Sequence, residues 1–165
     1  MINDIDIIIP IYNESENILK LVPKLKEKVS YKFRILFCYD DKNDDIFNII
    51  DSLDDYQTNY KLIKNTGIGP CEAIKTGFRY SDSKCCIVYP ADDLYNFQII
   101  DKMFEHFKNG NDIVVPSRFI KGGEMRDCPI IKSILVRVGN YTLFMFSGIG
   151  VRDSSNGFRL FSNKI

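Results

Sequence analysis

Hydrophobic residues along the chain follow two alternating periods. Short apolar runs, typical of buried strands, occupy residues 6–11, 33–39, 60–64, 85–89 and 112–115. Between them, apolar residues recur every three or four positions and predict helices around residues 18–29, 46–53, 71–80 and 100–107. Strands that alternate with helices at this spacing indicate βαβ units, and therefore an α/β fold with a mostly parallel central sheet.

Two helical segments carry further expectations. In the first, Ser15 is placed to act as the N-cap, and Pro23 is expected to kink the helix or shift its start. A later segment, residues 130–145, has a broad apolar face interrupted by Lys132 and Arg137. Two interpretations of this segment stay open: a helix packed on the sheet, or an amphipathic element that touches a bilayer.

Composition narrows the class of protein. The chain has 165 residues, which suggests one domain, and 22 basic and 22 acidic residues give a formal net charge of zero. A neutral chain argues against a duplex-DNA binder, so we expect no nucleic-acid partner. The five cysteines form no CxxC pair, which favours reduced thiols in a cytoplasmic protein over a disulfide framework or a zinc finger. No secretory signal or membrane-spanning run is visible.

Polar or glycine residues follow each of the five predicted strands. The segments are residues 10–14, 40–41, 65–69, 90–93 and 117–118. Ligands of open α/β sheets bind outside the carboxyl ends of the strands, so these segments together predict one crevice for a polar ligand. Acidic pairs at 40–41 and 92–93 are suited to a divalent cation that in turn holds phosphate oxygens, and Arg118 is suited to a phosphate. The glycine fingerprint of a dinucleotide site and the GxxxxGK[ST] motif are both absent.

In their order, these segments resemble the family 2 glycosyltransferases. The matching stretches are IIIPIYNE at 7–14, YDD at 39–41, NTGIG at 65–69 and PADD at 90–93. Two more, SRF at 117–119 and DSSNGFR at 153–159, are most similar to the branch of dolichol-phosphate mannosyltransferases. The resemblance implies the GT-A fold, a Rossmann-like arrangement of three layers, with residues 1–165 as a single domain.

The same resemblance implies a reaction and its residues. A sugar would pass from a nucleotide-diphosphate donor to an acceptor such as polyprenyl or dolichyl phosphate, by inverting displacement assisted by Mg²⁺ or Mn²⁺. The implied nucleotide-sugar site comprises Pro10, Tyr12, Glu14, Asp41, Asp92, Asp93 and Arg118. The implied metal ligands are Asp92 and Asp93, and the implied catalytic residues are Asp92, Arg118 and Lys132. The two basic residues would face the donor or acceptor phosphate.

Two departures from the family pattern leave alternatives open. Pro90 replaces the first acid of the Asp-x-Asp motif, so metal binding would rest on Asp92 with Asp93 or Asp41 and the donor phosphates. Members of this branch continue beyond the point that Ile165 matches, so we expect the C-terminal region to be missing. The alternatives are a transferase to a growing glycan and a non-catalytic nucleotide-sugar-binding domain. A nucleotidyltransferase would need a glycine- and lysine-rich loop after the first strand, which this chain lacks.

Three smaller expectations complete the prediction. Asp153 is expected to hold Arg159 or Lys132, or to shape the acceptor site. His106 is expected to be a surface residue. A lipid-phosphate acceptor implies a cytoplasmic location, at the cytoplasmic face of the membrane, with peripheral contact to the bilayer.

Overall fold

The computed structural model describes residues 3–53, 60–125, 128–148 and 150–164. The strands are β1 (Ile5–Ile11), β2 (Phe33–Tyr39), β3 (Tyr60–Lys64), β4 (Cys85–Val88), β5 (Ile113–Val114) and β6 (Arg159–Ser162). The α-helices are α1 (Ser15–Lys28), α2 (Pro70–Tyr80), α3 (Ile100–Lys108) and α4 (Ile130–Phe146). Short 3₁₀ segments cover Asp45–Asn48, Ile50–Leu53 and Asn96–Ile99. The five strands predicted from the apolar runs are therefore all present.

The strands form one sheet in the order β3-β2-β1-β4-β6-β5. Strands β1 to β4 pair in parallel, whereas β6 runs antiparallel between β4 and β5. This confirms the mostly parallel sheet, and adds β6 as a strand that the sequence did not predict. The chain extends from β1 towards β3 on one side and then crosses to β4 on the other. A topological switch point therefore lies between β1 and β4.

Helices cover both faces of the sheet, which confirms the three-layer α/β arrangement. On one face, the inward side chains of α1 and α3 pack with the odd-numbered isoleucines of β1 in one buried cluster. On the other face, Ile8 and Leu36 share a smaller cluster with Ala73 of α2. Helix α2 lies so close to β1 that a Cβ added at Gly77 would come within 2.4 Å of Cγ2 of Ile8. Glycine at this position therefore sets the spacing between the helix and the sheet.

The N-cap expected for the first helix is wrong. Helix α1 begins at Ser15, but the hydroxyl of that residue does not cap it; it donates a hydrogen bond of 2.7 Å to the carboxylate of Asp45 instead. The residue before the helix, Glu14, makes no side-chain capping bond either. The helix begins at Ser15 and continues through Pro23 to Lys28, so Pro23 does not shift its start, and the expected kink stays a prediction.

Helix α4 is mostly exposed. Its apolar side chains lie largely in solvent, with Ile130 78% exposed and Phe146 86% exposed, and Asn140 is its buried residue. Of the two interpretations of this segment, the helix packed on the sheet is therefore wrong. None of the helices in the described ranges is long and apolar enough to cross a membrane.

The five cysteines are all free. Cys38, Cys85 and Cys86 are buried, and burial raises the pKa of the Cys38 and Cys85 thiols to about 12. These thiols therefore stay protonated near neutral pH and behave as small apolar core residues.

Candidate functional site

The loops that follow β1 and β2 are tied together by acidic side chains. The buried carboxylate of Asp44 accepts a hydrogen bond of 3.0 Å from the backbone N–H of Asn13 and another of 3.0 Å from that of Ile46. Asp45 accepts from the backbone N–H and the hydroxyl of Ser15. These bonds hold the loop after β1 against the loop after β2, although the two are about 30 residues apart in sequence.

The predicted acidic pair after β2 has two different environments. Asp40 is a structural residue, since its carboxylate accepts 2.6 Å from the side-chain amide of Asn65 and 2.9 Å from the N–H of Gly69. Gly69 has a φ of +91°, in the left-handed region that glycine adopts without strain, and it directly precedes α2. Asp41 is exposed, and its carboxylate accepts only from the neighbouring Asn43 within the described chain.

The candidate nucleoside residues lie at the carboxyl end of β1, beside the switch point. Pro10 is half-buried, and Tyr12 is 70% exposed. Glu14 is half-buried and accepts a hydrogen bond of 2.6 Å from the side chain of Asn17. Together with the exposed Asp41, these residues lie at the carboxyl ends of β1 and β2. Their role in binding a nucleotide stays a prediction.

A cleft of about 980 Å³ opens beyond the carboxyl ends of β4 and β5. Pro90, Asp92, Asp93 and Arg118 line it, together with residues of α3 and of the loop that follows β5. The structure thus brings the predicted metal ligands and Arg118 to one cavity. Pro10, Tyr12, Glu14, Asp41 and Lys132 do not line this cavity.

The two adjacent acids after β4 differ in their contacts. Asp93 is used by the loop itself: its carboxylate accepts from the backbone N–H groups of Tyr95 and Asn96 and from the Asn96 side chain, at 2.7–3.0 Å. Buried Tyr89 also donates to the backbone carbonyl of Asp93, at 2.9 Å. Asp92, by contrast, is exposed, and no described residue bonds to its carboxylate. Asp92 is therefore the acid that this loop leaves open to a ligand.

Arg118 is held by a buried acid from a distant segment. Its side chain donates to both oxygens of Asp153 at 2.8 and 2.6 Å, and its backbone N–H donates to the same carboxylate at 3.0 Å. Burial alone would raise the pKa of Asp153, but the hydrogen bonds from Arg118 outweigh it and hold that pKa below its usual value. The same pair raises the pKa of Arg118. The expectation that Asp153 holds Arg159 or Lys132 is wrong, because Arg159 bonds to backbone carbonyls of residues 154 and 156.

Helix α4 joins this network through a residue that the sequence reasoning missed. The side-chain oxygen of Asn140 accepts 3.0 Å from the N–H of Ser155 and 3.1 Å from the hydroxyl of Ser154, and its amide donates 2.8 Å to Oγ of Ser155. Arg118 donates to the same Ser155 hydroxyl at 2.8 Å. A lone amide in an apolar helix was the signal that could have revealed it.

Among the described residues, no three His, Cys, Asp or Glu side chains are placed to hold a metal ion by themselves. The free carboxylate of Asp92 still fits Mg²⁺ or Mn²⁺, because such ions commonly use one or two carboxylates and complete their shell with substrate phosphates and water. The Asp93 carboxylate already accepts three hydrogen bonds, so its part as a ligand stays a prediction.

Sequence comparison places this chain among known proteins. The model of the family described as "Glycosyl transferase family 2" matches residues 6–165. The dolichol-phosphate mannosyltransferase of Pyrococcus furiosus is 28% identical over 160 residues, which cover 93% of this chain and 45% of that protein. The polyprenol monophosphomannose synthase of Mycolicibacterium smegmatis is 24% identical over 96% of this chain and 62% of its own length. The chain thus spans about half of the length of the first relative and under two thirds of the second.

Solved structures share the fold. Glucosyl-3-phosphoglycerate synthase from Mycobacterium tuberculosis, in complex with Mn²⁺, UDP and glucosyl-3-phosphoglycerate, superposes with a TM-score of 0.70 at 12% identity. The match covers 98% of this chain and 57% of that one. The mannosyltransferase PcManGT from Pyrobaculum calidifontis, in complex with GDP-Man and Mn²⁺, gives a TM-score of 0.62 at 15% identity, over 99% of this chain and 46% of that one. These likenesses confirm the predicted GT-A fold.

Proposed function

This chain belongs to glycosyl transferase family 2, and from that premise we propose that it transfers a sugar from a nucleotide-diphosphate donor to an acceptor. The acceptor we propose is a polyprenyl or dolichyl phosphate. Support comes from relatives named dolichol-phosphate mannosyltransferase and polyprenol monophosphomannose synthase. The named complexes of the structural neighbours, with UDP or GDP-Man, support a nucleotide-sugar donor.

One observation in this chain carries the proposal. Of the acids at the carboxyl edge of the sheet, Asp40, Asp44, Asp45, Asp93 and Asp153 all bind other parts of the chain. Asp92 stands exposed in the cleft with no partner among the described residues. A carboxylate left open at the switch-point side of an α/β sheet is the group expected to hold a ligand.

In the proposed reaction, a phosphate oxygen of the acceptor attacks the anomeric carbon of the donor sugar. A bond forms between that oxygen and the carbon, the bond from carbon to the donor diphosphate breaks, and its electron pair leaves with the nucleoside diphosphate. Attack from the opposite side inverts the configuration of the sugar. An acceptor that is already ionised as a phosphate needs no protein group to remove a proton.

Separate residues would then hold the two substrates. Asp92 would hold a divalent cation, and that ion, when bound, supplies positive charge that stabilises the diphosphate as it leaves. Pro10, Tyr12, Glu14 and Asp41 would bind the nucleoside at the ends of β1 and β2. Arg118, fixed by Asp153, adds a preorganised positive charge to the cleft. Lys132 lies exposed in the first turn of α4 and does not line the cleft, so its catalytic role stays a prediction.

We further propose that α4 makes peripheral contact with the membrane that carries a lipid acceptor, at its cytoplasmic face. The helix exposes Ile131, Leu135 and Phe146, and its charged residues are Lys132 and Arg137, with no acid. Exposed apolar side chains beside basic ones favour an interface with anionic lipid.

The test is a thermal-shift series with UDP-, GDP- and CDP-sugars, each with and without Mn²⁺ or Mg²⁺. A ligand at about 100 times its dissociation constant adds roughly 2.7 kcal/mol of stability, which such a measurement detects readily. We expect one nucleotide class to stabilise the chain and the metal to increase the effect. The variant Asp92→Asn should lose the metal-dependent part.

Asp112→Asn provides the matched control, because Asp112 is an exposed acid at the amino end of β5, whereas Asp92 follows the carboxyl end of β4. It should respond to ligand and metal as the wild type does. If no nucleotide sugar shifts the folded protein, the proposed function is wrong. Binding without transfer to any acceptor would instead support a non-catalytic nucleotide-sugar-binding domain.

A further inference from the structure

The cleft contains a group of basic side chains that no part of the donor site uses. Lys102 and His106 lie one turn apart on α3, and both line the cleft. Lys121, from the loop that follows β5, lines the same cavity. Within the ranges that the structure describes, neither lysine has a hydrogen bond or an ion pair, and the His106 imidazole has none.

Two other described cations, on α3 and in the loop after β5, already have acidic partners. Lys108, at the end of α3, pairs with Glu105 at 2.8 Å and contacts the hydroxyl of Tyr31 at 3.0 Å. Arg118 pairs with Asp153. Among the described residues that line the cleft, Lys102 and Lys121 are therefore the cationic side chains without an ion pair.

We propose that Lys102, His106 and Lys121 form an anion subsite that binds a phosphate group of the acceptor. Two ammonium groups and an imidazole N–H supply charge and hydrogen-bond donors for phosphate oxygens. That the phosphate belongs to the acceptor rests on the proposed function, whereas the binding of phosphate does not.

The position of these side chains separates the subsite from the donor. Asp92 and Asp93 stand at the β4 end of the cleft, and Glu124 is the other acid that lines it. Bringing a second phosphate into a cavity that already holds a diphosphate brings two anions together, and separate cations offset their repulsion. Lysines on α3 and on the loop after β5 provide such cations without a metal ion.

The same cavity also offers apolar surface. Ile99, Met103 and Met125 line it beside the basic residues. An acceptor that combines a phosphate with an apolar arm therefore matches the subsite. A lipid phosphate and a small soluble phosphate monoester share the phosphate chemistry, and the experiment below distinguishes them.

His106 is the only histidine in the chain, so it gives a single ring signal by NMR. We would label histidine with ¹³C and ¹⁵N and titrate the folded protein with glycerol phosphate, and separately with a short water-soluble prenyl phosphate, at fixed pH and ionic strength. We expect saturable shifts of the His106 ring. Lys102→Ala and Lys121→Ala should each weaken binding by at least about fivefold, the loss expected for one partly exposed charge-assisted hydrogen bond.

Lys20→Ala is the control, because Lys20 is an exposed lysine on α1 outside the cleft. Its affinity for phosphate should equal that of the wild type. Tighter binding of the prenyl phosphate supports a lipid acceptor, and equal binding supports a soluble one. A linear, unsaturated shift, or the same affinity in Lys102→Ala as in the wild type, would overturn the subsite.

The nucleotide-sugar thermal shift, repeated on Lys102→Ala, shows whether the bound phosphate belongs to the acceptor or to the donor. An unchanged response to the donor supports an acceptor subsite. If Lys102→Ala weakens the response to the donor as well as the binding of phosphate, that assignment is overturned and these residues bind the donor. If phosphate binds while no nucleotide sugar does, the proposed function fails and the phosphate site stands.

Discussion

Breaking the buried ion pair between Arg118 and Asp153 should cost far more stability than breaking an exposed pair of the same geometry. Asp153 is fully buried, and Nη2 of Arg118 lies 2.6 Å from its carboxylate. Asp153→Asn keeps the shape of the side chain but removes its charge, which leaves Arg118 without its counter-ion. Breaking a buried pair costs about 3–5 kcal/mol, and we expect about 2–3 because the Arg118 side chain is 30% exposed and can rehydrate.

The chain supplies a matched control in the pair of Arg34 and Asp82. Its nitrogen–oxygen distance is 2.5 Å, but Asp82 is 73% exposed. Asp82→Asn should therefore cost at most about 0.5 kcal/mol. Urea unfolding, with the slope unchanged between variants, measures both differences. The reasoning would be refuted by an Asp153→Asn loss under about 1 kcal/mol, or by equal losses in the two variants.

Three further predictions follow from the packing and the pKa shifts. Gly77→Ala should lower the free energy of unfolding by about 1–2 kcal/mol in urea, because the clash of the added Cβ with Ile8 outweighs the gain in helix propensity. Gly139→Ala should not destabilise the protein, because there is open space around Gly139. Asn140→Ala should speed amide exchange of α4 at least about fivefold and leave α2 unchanged, because it removes the buried contacts of α4. The pKa of Asp153 is lowered in the folded state, so its contribution is present above the unfolded value of about 3.9 and is lost as pH falls through the folded value. The stability difference between wild type and Asp153→Asn should therefore be constant from about pH 7 to 5 and shrink below about pH 4; a constant difference at pH 3 contradicts this.

The parallel strands could be predicted because burial on both faces leaves a simple pattern. Ile7, Ile8 and Ile9 are all fully buried, and such an apolar run followed by polar residues marks both a strand and its ligand-facing end. The sequence of strand β6 has no such apolar run. Its four residues include Arg159 and Ser162, and it forms by pairing with β4 and β5 from a distant part of the chain.

Within the site, the sequence named the right loops but did not separate the residues in them. Asp92 and Asp93 are neighbours of the same type. Only the turn towards Asn96 brings a backbone N–H to the carboxylate of Asp93 and not to that of Asp92. The partner of Asp153 was equally hidden, because Arg118 lies 35 residues earlier and several basic residues were available. Contacts of this kind depend on tertiary structure and leave no periodicity in the sequence.

The two edges of the sheet bear on how the chain behaves at high concentration. At one edge, β3 carries exposed Lys61 and Lys64, and the Lys61 ammonium lies 5.2 Å from the ring centre of Tyr80. Joining two copies along this edge would bring like charges together. At the other edge, β5 is only two residues long and offers few backbone groups for pairing. Growth of the sheet from copy to copy, the first step towards cross-β fibrils, is disfavoured at both ends.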